Sequence, residues 1–414
     1  MHNQRTFRAV TRREFLKDSV SGLGLVAFSG FAPAFLTSTA KAGVGAPETG
    51  RPILVLIQLA GGNDGLNTCI PFQDDAYYNL RPDLAIRKGS LQLTDNLALH
   101  PSCAGMERLW KDGQMSIIQN VGYPNPNRSH FRSTEIWETA TDSDTIGTTG
   151  WLGRYFDNAC DGAGHTDPLA LHLGDEAPGH FISNEQHSIF GLPARGKLRQ
   201  RDKDELSLLD KLTQAPTDTQ TGDYLQHMVM DSIVTEKRVQ QIVDRYRPMT
   251  AYARNSFSQS LQRVAAMIAA GMETRVYYVS QGGYDTHANQ LNSHANRLNE
   301  LSTGLQALQN DLAKHKLDNQ VLSVVFSEFG RRPKQNASQG TDHGAAAPLF
   351  MLGGNLSTNL LGNQPNLVDL HNADLKHEFD FRQVYASILR DWFQADPSLV
   401  LDGHFAPLPI LRPA

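Results

Sequence analysis

The sequence predicts an α/β protein, a three-layer αβα sandwich built around a mainly parallel sheet. Short apolar, β-branched runs typical of strands buried on both faces recur along the chain. Segments with helical spacing separate them, and this alternation favours parallel strands covered by helices on both sides. Polar side chains directly follow several runs, at the position where ligands bind in open α/β sheets.

Six runs predict the strands of this sheet. The first, Ile53–Leu59, is almost continuously apolar, and we therefore place it at the centre. The other predicted strands are Met115–Val121, Leu169–Leu173, Arg275–Ser280, Val321–Phe326 and Pro348–Leu352.

Helices are predicted between and after these strands. A long amphipathic helix carries a leucine stripe from Leu291 to Leu312, which we expect to pack in the core. Its histidines, His294 and His315, are expected to be solvated. The other predicted helices are Ala98–Trp110, His130–Thr139, Ala251–Gly271 and Phe381–Phe393.

Residues 1–42 are expected to be a signal peptide. The segment Thr11–Lys17 contains a twin-arginine pattern, an interrupted apolar stretch follows, and Ala40–Ala42 is a small-residue cleavage site. We expect the twin-arginine translocase to export the folded chain, which would begin at Gly43 and be soluble in the periplasm or outside the cell. No later segment resembles a membrane span.

Composition narrows the choice of partners. Removing residues 1–42 takes away six basic and two acidic residues, so the net charge falls from −5 to −9. An acidic chain without a basic stripe is a poor candidate for binding nucleic acid or anionic lipid. Three cysteines without a CxxC motif predict no disulfide framework. Residues 43–414 are expected to form one α/β domain, with a charged helical insertion near 195–250 that could act as a lid.

Candidate metal ligands follow four of the predicted strands. The polar groups at these strand ends are Asn63 and Asp64, then Ser129 and His130, then Asp285 and His287, and finally Glu328 with Asp342 and His343, and their aspartates, histidines and glutamate are the candidate ligands. Ordinary turn chemistry could explain any one of these groups. In a parallel sheet, however, all four meet at one edge, and together they exceed the needs of one zinc tetrahedron. We therefore predict two divalent ions about 4 Å apart, whose identity among Zn, Mn, Mg and Ca the residues do not fix.

Ser129 has two interpretations. It precedes a predicted helix, so it could simply be the N-cap, which the residues alone favour. It could also be a nucleophile whose developing charge is stabilised by the helix N-terminus and by Arg128 or Arg132.

Several longer motifs resemble a known family. The chain is similar to the exported domain-of-unknown-function family DUF1501, itself similar to the alkaline phosphatase-like superfamily of phosphatases, sulfatases and phosphoglycerate mutases. The resemblance spans nearly the whole mature chain and implies a three-layer sandwich with two metal sites. The motifs that carry it are AGGNDGLNT, NRSHFRSTEIWETA, GWLGRY, GGYDTHANQ, SEFGRRP, GTDHGAAAP and DFRQVYASILRDW.

The resemblance also implies roles for individual residues. Asp64 would bind one metal together with Asp342 and His343, and Asp285 and His287 would bind the second. Ser129 lies where the superfamily's nucleophile would be, with Ser133 and Thr68 as alternatives, and Arg128 or Arg132 would hold the non-bridging oxygens of the substrate.

One departure from the superfamily concerns the second metal. A further histidine usually follows the Asp-His pair, but here the chain reads AAAPLFMLGG and has no histidine before His371. Glu328, His130, His371 or His377 could replace it.

Two functions follow from these patterns. The first is an exported metal-dependent hydrolase of phosphate or sulfate esters, acting on a small ester substrate. The alternative is a non-catalytic exported protein that keeps the fold and binds a cell-envelope component or polysaccharide.

Overall fold

The computed structural model describes residues 51–159, 167–174, 177–193, 207–208, 211 and 219–412. The predicted signal peptide and its cleavage site lie outside these residues. Ala46–Leu198 together with Arg238–Ala414 form one compact unit, and Arg199–Lys237 belong to a second. A helix, Gln220–Arg245, falls within the segment predicted to be an insertion. The limits of that insertion, and its action as a lid, stay predictions.

The main sheet contains all six predicted strands. Its strands are β1 (Ile53–Ala60), β5 (Met115–Gly122), β6 (Ala170–Leu173), β7 (Ile189–Leu192), β8 (Val276–Gly282), β9 (Val321–Phe326), β12 (Ala347–Leu352), β13 (Leu360–Leu361) and β14 (Phe379–Asp380). In spatial order the sheet runs β13-β5-β12-β9-β1-β8-β6-β7, with β14 pairing the end of β5. The prediction that the first strand is central is confirmed, because β1 lies between β8 and β9.

The sheet is mainly parallel, with one reversed strand. β12 pairs antiparallel with both β5 and β9. Between β9 and β12 the chain forms only a hairpin of β10 (Arg331–Gln335) and β11 (Thr341–His343), without the crossover helix that usually connects parallel strands. Since β1, β5, β8 and β9 all run in the same direction, their carboxyl ends lie at one edge of the sheet.

Helices cover both faces of the sheet, which confirms the predicted three-layer αβα fold. Alternate residues of β1 enter two separate cores, with Val55 and Ile57 on one face and Leu54 and Leu56 on the other. The helices against the first core are α3 (Ala104–Lys111), α7 (Ser256–Ala269) and α8 (Gln290–Lys314), and those against the second are α4 (His130–Thr139), α5 (Trp151–Ala159) and α9 (Phe381–Ser387).

The remaining elements are shorter. A small antiparallel sheet contains β2 (Cys69–Ile70), β3 (Leu91–Gln92) and β4 (Ala98–Leu99). Two short helices, α1 (Gly65–Thr68) and α2 (Asp75–Leu80), follow β1, and α6 is the helix Gln220–Arg245. None of the described helices has the length and apolar character needed to cross a membrane.

Some predicted helix boundaries are wrong. Ala98–Trp110 is not a single helix, because its first residues form β4 and a 3-10 turn at Pro101–Cys103 precedes α3. Pro101 fits that first turn, since proline cannot donate a backbone hydrogen bond. The helix predicted from Ala251 begins only at Ser256, where the Asn255 side chain accepts a capping bond. The C-terminal helix becomes a π-helical turn at Ile388–Trp392.

Candidate metal centre

The loops that follow β1, β5, β8 and β9 meet at the shared edge of the sheet. A Cβ atom on Gly61 would lie 2.4 Å from the backbone nitrogen of Asp285, and one on Gly340 would lie 2.2 Å from the carbonyl carbon of His287. Only glycine permits these close approaches. The glycines thereby bring the turn after β1 and the β10–β11 hairpin against the segment that carries Asp285 and His287.

Three imidazoles face one carboxylate oxygen at this edge. Asp285 Oδ1 lies 3.0 Å from His287 Nε2, 3.1 Å from His343 Nε2 and 3.5 Å from His130 Nε2. The Nε2 atoms of His287 and His343 are 2.9 Å apart. One possible ligand atom each from His130, Asp285 and His343 lies within 4.8 Å of the others. We call His130, Asp285, His287 and His343 together the Asp285 cluster.

The other ring nitrogen of each imidazole lies near an oxygen. The three Nδ1···O pairs are His130 with Glu328 at 2.8 Å, His343 with the carbonyl of Arg128 at 2.7 Å, and His287 with Asp342 at 3.5 Å. A carbonyl can only accept, so His343 carries a hydrogen on Nδ1, and in its neutral form Nε2 has a free lone pair. Metal-bound histidines have this arrangement, in which an outer acceptor fixes the tautomer and the orientation of the ring.

The cluster fits a divalent cation. His130 Nε2 is buried and has no hydrogen-bond partner among the described residues. His287 and His343 present their Nε2 atoms to one another, an arrangement that a cation or a shared proton would stabilise. Imidazole nitrogens and a carboxylate oxygen are ligands that suit zinc and related ions. His130, Asp285 and His343 can therefore hold a metal ion, and His287 lies beside them.

Arg331 holds Asp285 in place from the buried side of the site. Its buried guanidinium donates to Asp285 Oδ1 at 2.6 Å, to the carbonyls of Gly62 and Thr341 at 2.7 Å each, and to the carbonyl of Gly61. Partial burial raises the pKa of Asp285, but the hydrogen bond and the positive charge of Arg331 outweigh this and lower it to about 2. Asp285 is therefore ionised at any pH at which it would bind a metal. No pattern in the sequence predicted this role for Arg331.

The structure does not bring Asp64 into the cluster. The Asp64 side chain is fully buried, and it accepts hydrogen bonds from Arg81 at 2.6 Å, from Gln290, and from the backbone of Asn67. Burial raises the pKa of Asp64, but the charge and hydrogen bond of Arg81 outweigh it and leave the pKa below its usual value. Its carboxylate is thus taken up by protein donors, unlike that of a metal ligand.

Gln290 connects the buried Asp64 to the loops that carry the Asp285 cluster. While its amide nitrogen donates to Asp64, its Oε1 accepts from Thr286 at 3.0 Å and from Thr341 at 2.6 Å. These threonines adjoin Asp285, His287 and Asp342 in the sequence. The buried network around Asp64 therefore supports the loops that carry the ligands.

His294 belongs to this buried network, and the prediction that it is solvated is wrong. It is 1% exposed, and its Nε2 lies 2.9 Å from Asn63 Oδ1. His315 is only partly exposed and lies 3.3 Å from the hydroxyl of Tyr246. Nothing in the sequence around either histidine indicates these contacts.

The other predicted ligands lie around the cluster rather than in it. Glu328 is buried, accepts from the backbone of Gly61 at 2.8 Å and holds His130. Asp342 is half exposed and contacts Asn336 and His287. Of the residues proposed to replace the superfamily's missing histidine, His130 alone among the described residues supplies a nitrogen to the cluster, while His371 is exposed and contacts Asn372.

The structure separates the nucleophile candidates by burial. Ser133 is fully buried and bonds to the carbonyl of Glu328, and the equally buried Thr68 bonds to Asn63 and to its own helix turn. Ser129 is exposed and is the N-cap residue of α4, as predicted, but its side chain makes no capping bond. Its hydroxyl is therefore not engaged by the helix.

The two candidate arginines differ in their surroundings. Arg132 donates to the carbonyls of Ser143 at 3.0 Å and Thr145 at 2.6 Å and pairs with Glu135. Arg128 pairs with Asp374 instead. Arg132 thus ties α4 to the loop after it.

Comparison with known proteins identifies a family. The model described as "Protein of unknown function (DUF1501)" matches residues 51–393. No curated protein matches the sequence significantly.

Several solved structures are similar at low identity. One, Ps i-CgsB, is 10% identical, covers 86% of this chain and 75% of its own, and has a TM-score of 0.41. The C-terminal periplasmic domain of EcEptC from Escherichia coli is 9% identical, with coverages of 87% and 88% and a TM-score of 0.38. Alkaline phosphatase from the Antarctic bacterium TAB5 is also 9% identical, with coverages of 73% and 92% and a TM-score of 0.29. At these TM-scores, the likeness carries no argument about activity.

Proposed function

The chain belongs to the DUF1501 family of proteins of unknown function, and from its site we propose that it is an exported, metal-dependent hydrolase of phosphate or sulfate esters. The observation that carries this proposal is the convergence of three imidazole Nε2 atoms on Asp285 Oδ1. The side chains of Asp285 and His287 are 48% and 46% exposed. Structural metal sites are closed, whereas a catalytic site keeps a position open for water or substrate, and this degree of exposure supports an open site.

The chain's own residues would prepare this site for catalysis. A bound divalent ion supplies Lewis-acid polarisation of an ester oxygen. Asp285 stays ionised, and Arg331 holds it in place. Glu328 and the carbonyl of Arg128 orient His130 and His343, so that these imidazoles need not reorganise when the site is loaded.

Ser129 is the nucleophile that we propose. Its exposed hydroxyl lies at the N-terminus of α4, next to His130 of the cluster. The partial positive charge of a helix N-terminus favours a developing alkoxide. The oxygen of Ser129 would lose its proton and attack phosphorus or sulfur, the bond to the ester oxygen would break, and that oxygen would take up a proton and leave as the alcohol. Water would then cleave the enzyme ester, which releases phosphate or sulfate and restores the serine hydroxyl.

We propose one metal ion, where the sequence predicted two. Three residues of the cluster, His130, Asp285 and His343, have ligand atoms close enough together to share one ion. A second ion would need Asp64, whose carboxylate already accepts from Arg81 and Gln290. The twin-arginine pattern supports export by the translocase and therefore an extracytoplasmic substrate.

The test is metal stoichiometry on the mature protein, together with phosphatase and sulfatase assays. We expect about one metal per chain in the wild type and in the control Asp369→Asn, which alters an exposed aspartate paired with Lys376. Asp285→Ala and His343→Ala should lose the metal and remain folded. A wild-type protein without metal would refute the proposal. Bound metal without hydrolysis of either ester class would favour the alternative, a non-catalytic binder of an envelope component.

A further inference from the structure

Two arginines beside the metal centre share one carboxylate. Asp374 is buried, and its Oδ2 accepts from Arg128 Nε at 2.9 Å and also from Arg128 Nη2. Its Oδ1 lies 3.3 Å from Arg332 Nε. Because two guanidinium charges face a single carboxylate, the group has an excess positive charge.

A tight turn places Asp374 between the arginines. The backbone groups of His371 and Asp374 bond to each other in both directions, at 3.0 and 2.9 Å. The two central residues, Asn372 and Ala373, have φ values of +52° and +66°. Alanine rarely adopts this left-handed conformation, because its Cβ atom then lies too close to the following carbonyl oxygen. The fold keeps this strained turn where it fixes the carboxylate.

Both arginines retain unused donors. Within the described part of the chain, Arg128 Nη1 and both terminal nitrogens of Arg332 have no protein acceptor, and the two side chains are 38% and 33% exposed. Arg81 and Arg331 differ, because they are buried and donate to carbonyls and carboxylates. Arg128 and Arg332 are therefore oriented by the protein but not saturated by it.

The pair adjoins the metal cluster through the backbone. The carbonyl of Arg128 accepts from His343 Nδ1 at 2.7 Å. Arg332 directly follows Arg331 in the sequence. Arg331 holds Asp285 through its side chain, and it lies opposite His343 in the register of the β10–β11 hairpin. A ligand of the arginine pair would thus lie beside the Asp285 cluster.

We propose that Arg128 and Arg332 form an anion-binding pair that recognises a tetrahedral oxyanion, phosphate or sulfate, beside the metal centre. A guanidinium offers two parallel N–H donors that match the oxygens of such an anion. Asp374 holds both forks in place and offsets one charge, which lowers the cost of ordering them when the anion binds. That this anion belongs to an ester substrate rests on the proposed function, whereas anion binding does not.

The first experiment measures the affinity of inorganic phosphate, and separately of inorganic sulfate, for the mature protein by calorimetry after treatment with a chelator. Wild-type protein should bind at least one of them saturably. Arg332→Gln should weaken binding about tenfold or more, since it removes charge-assisted hydrogen bonds. Arg332→Lys keeps the charge and should lose less. The control Arg390→Gln, which alters another arginine paired with an aspartate, should bind like the wild type.

A second experiment uses only wild-type protein and so does not depend on a variant folding. Phosphate should protect Arg128 and Arg332, but not Arg390, from modification by phenylglyoxal, as mapped by peptide mass spectrometry. Absence of binding of both anions, equal affinity in Arg332→Gln, or equal modification with and without phosphate would each overturn the inference.

The outcomes also separate this inference from the proposed function. Anion binding to the arginine pair, in a protein that holds no metal and cleaves no ester, would keep the inference and remove the function. Ester hydrolysis that survives Arg332→Gln with an unchanged KM, together with the absence of anion protection, would keep the proposed function and remove the inference.

Discussion

Asp64 and Asp285 have equivalent positions relative to their strands but lie in different environments. Each follows the end of one of two neighbouring parallel strands, β1 and β8, and each accepts a hydrogen bond at 2.6 Å from a buried arginine. Asp64 is completely buried, and its other partners are Gln290 and the backbone of Asn67. The side chain of Asp285 is 48% exposed, and its other neighbours are three imidazoles.

This difference separates a supporting role from a binding role. An aspartate whose oxygens are taken up by buried donors stabilises the fold and has no capacity left for a metal. One that is half exposed and faces several imidazole nitrogens can bind a metal at little cost to the fold. Gln290 couples the two sites, because it bonds to Asp64 and to the threonines beside the ligands.

The largest expected effect is on stability at Asp64. Asp64→Asn leaves the buried Arg81 without its counter-charge, and breaking a buried pair in this way costs about 3–5 kcal/mol. Asp285→Asn should cost only about 1 kcal/mol in the metal-free protein, because solvent screens that site and Arg331 keeps its four carbonyl acceptors. Denaturant unfolding of both variants after chelation measures the difference.

Metal analysis completes this comparison. Folded Asp64→Asn protein should still bind metal, whereas Asp285→Asn should not. If Asp64→Asn were as stable as Asp285→Asn and lost its metal, Asp64 would be a ligand and the assignment of a supporting role would be wrong.

The sequence predicted the sheet well because its signal is local. Runs such as Ile53–Leu59 and Val321–Phe326 are apolar at all but one position, and each can be recognised without knowledge of its neighbours. Polar residues at the strand ends then indicated the correct edge. The reversal of β12 was missed, since strand direction depends on the connection rather than on the residues of the strand.

The sequence could not separate Asp64 from Asp285, since both follow an apolar run and lie in a glycine-containing turn. What distinguishes them is contributed from elsewhere in the chain. Arg81 reaches Asp64 from beyond α2, and Gln290 reaches it from the start of α8. Arg81 lies outside every motif, and Gln290 ends the motif GGYDTHANQ without indicating a contact with Asp64, so only the folded structure reveals the buried network.

A second prediction concerns the acid sensitivity of that network. Burial lowers the pKa of His294 to about 4, against 6.5 for an unperturbed histidine. Between these values the unfolded chain binds more protons than the folded one, so stability falls as the pH is lowered from 6.5 toward 4. At pH 5 the loss is about 2 kcal/mol. Because His294→Gln cannot titrate, the difference between its unfolding free energies at pH 7 and pH 5 should shrink by about that amount.

The matched control is His315→Gln, at the C-terminal cap of the same helix. It should keep the wild-type difference between pH 7 and pH 5, because His315 contacts Tyr246 and Asp311 rather than the network around Asp64. Equal behaviour of the two variants would contradict the assignment of acid sensitivity to the buried network around Asp64.

The smallest effects should come from the carboxylates that orient the imidazoles. Glu328 is buried and lies 2.8 Å from His130 Nδ1, whereas Asp342 is half exposed and lies 3.5 Å from His287 Nδ1. Loss of an outer carboxylate typically weakens metal binding by about tenfold or more. We expect about tenfold for Glu328→Gln and about threefold or less for Asp342→Asn, because water can replace an exposed acceptor. Competition with a chelating dye for zinc measures both affinities, with Asp369→Asn as the control.

This ranking extends the contrast between Asp64 and Asp285 to their neighbours. If burial decides whether a carboxylate's contribution can be replaced by water, Glu328 must matter more than Asp342, although both were predicted as direct ligands. The opposite order would mean that Asp342 itself binds the ion and that the ligand set extends into the β10–β11 hairpin. Asp342→Asn would then abolish metal binding at neutral pH, as loss of a direct ligand does, and the single-ion site would need to be enlarged toward the two-ion arrangement that the resemblance implied.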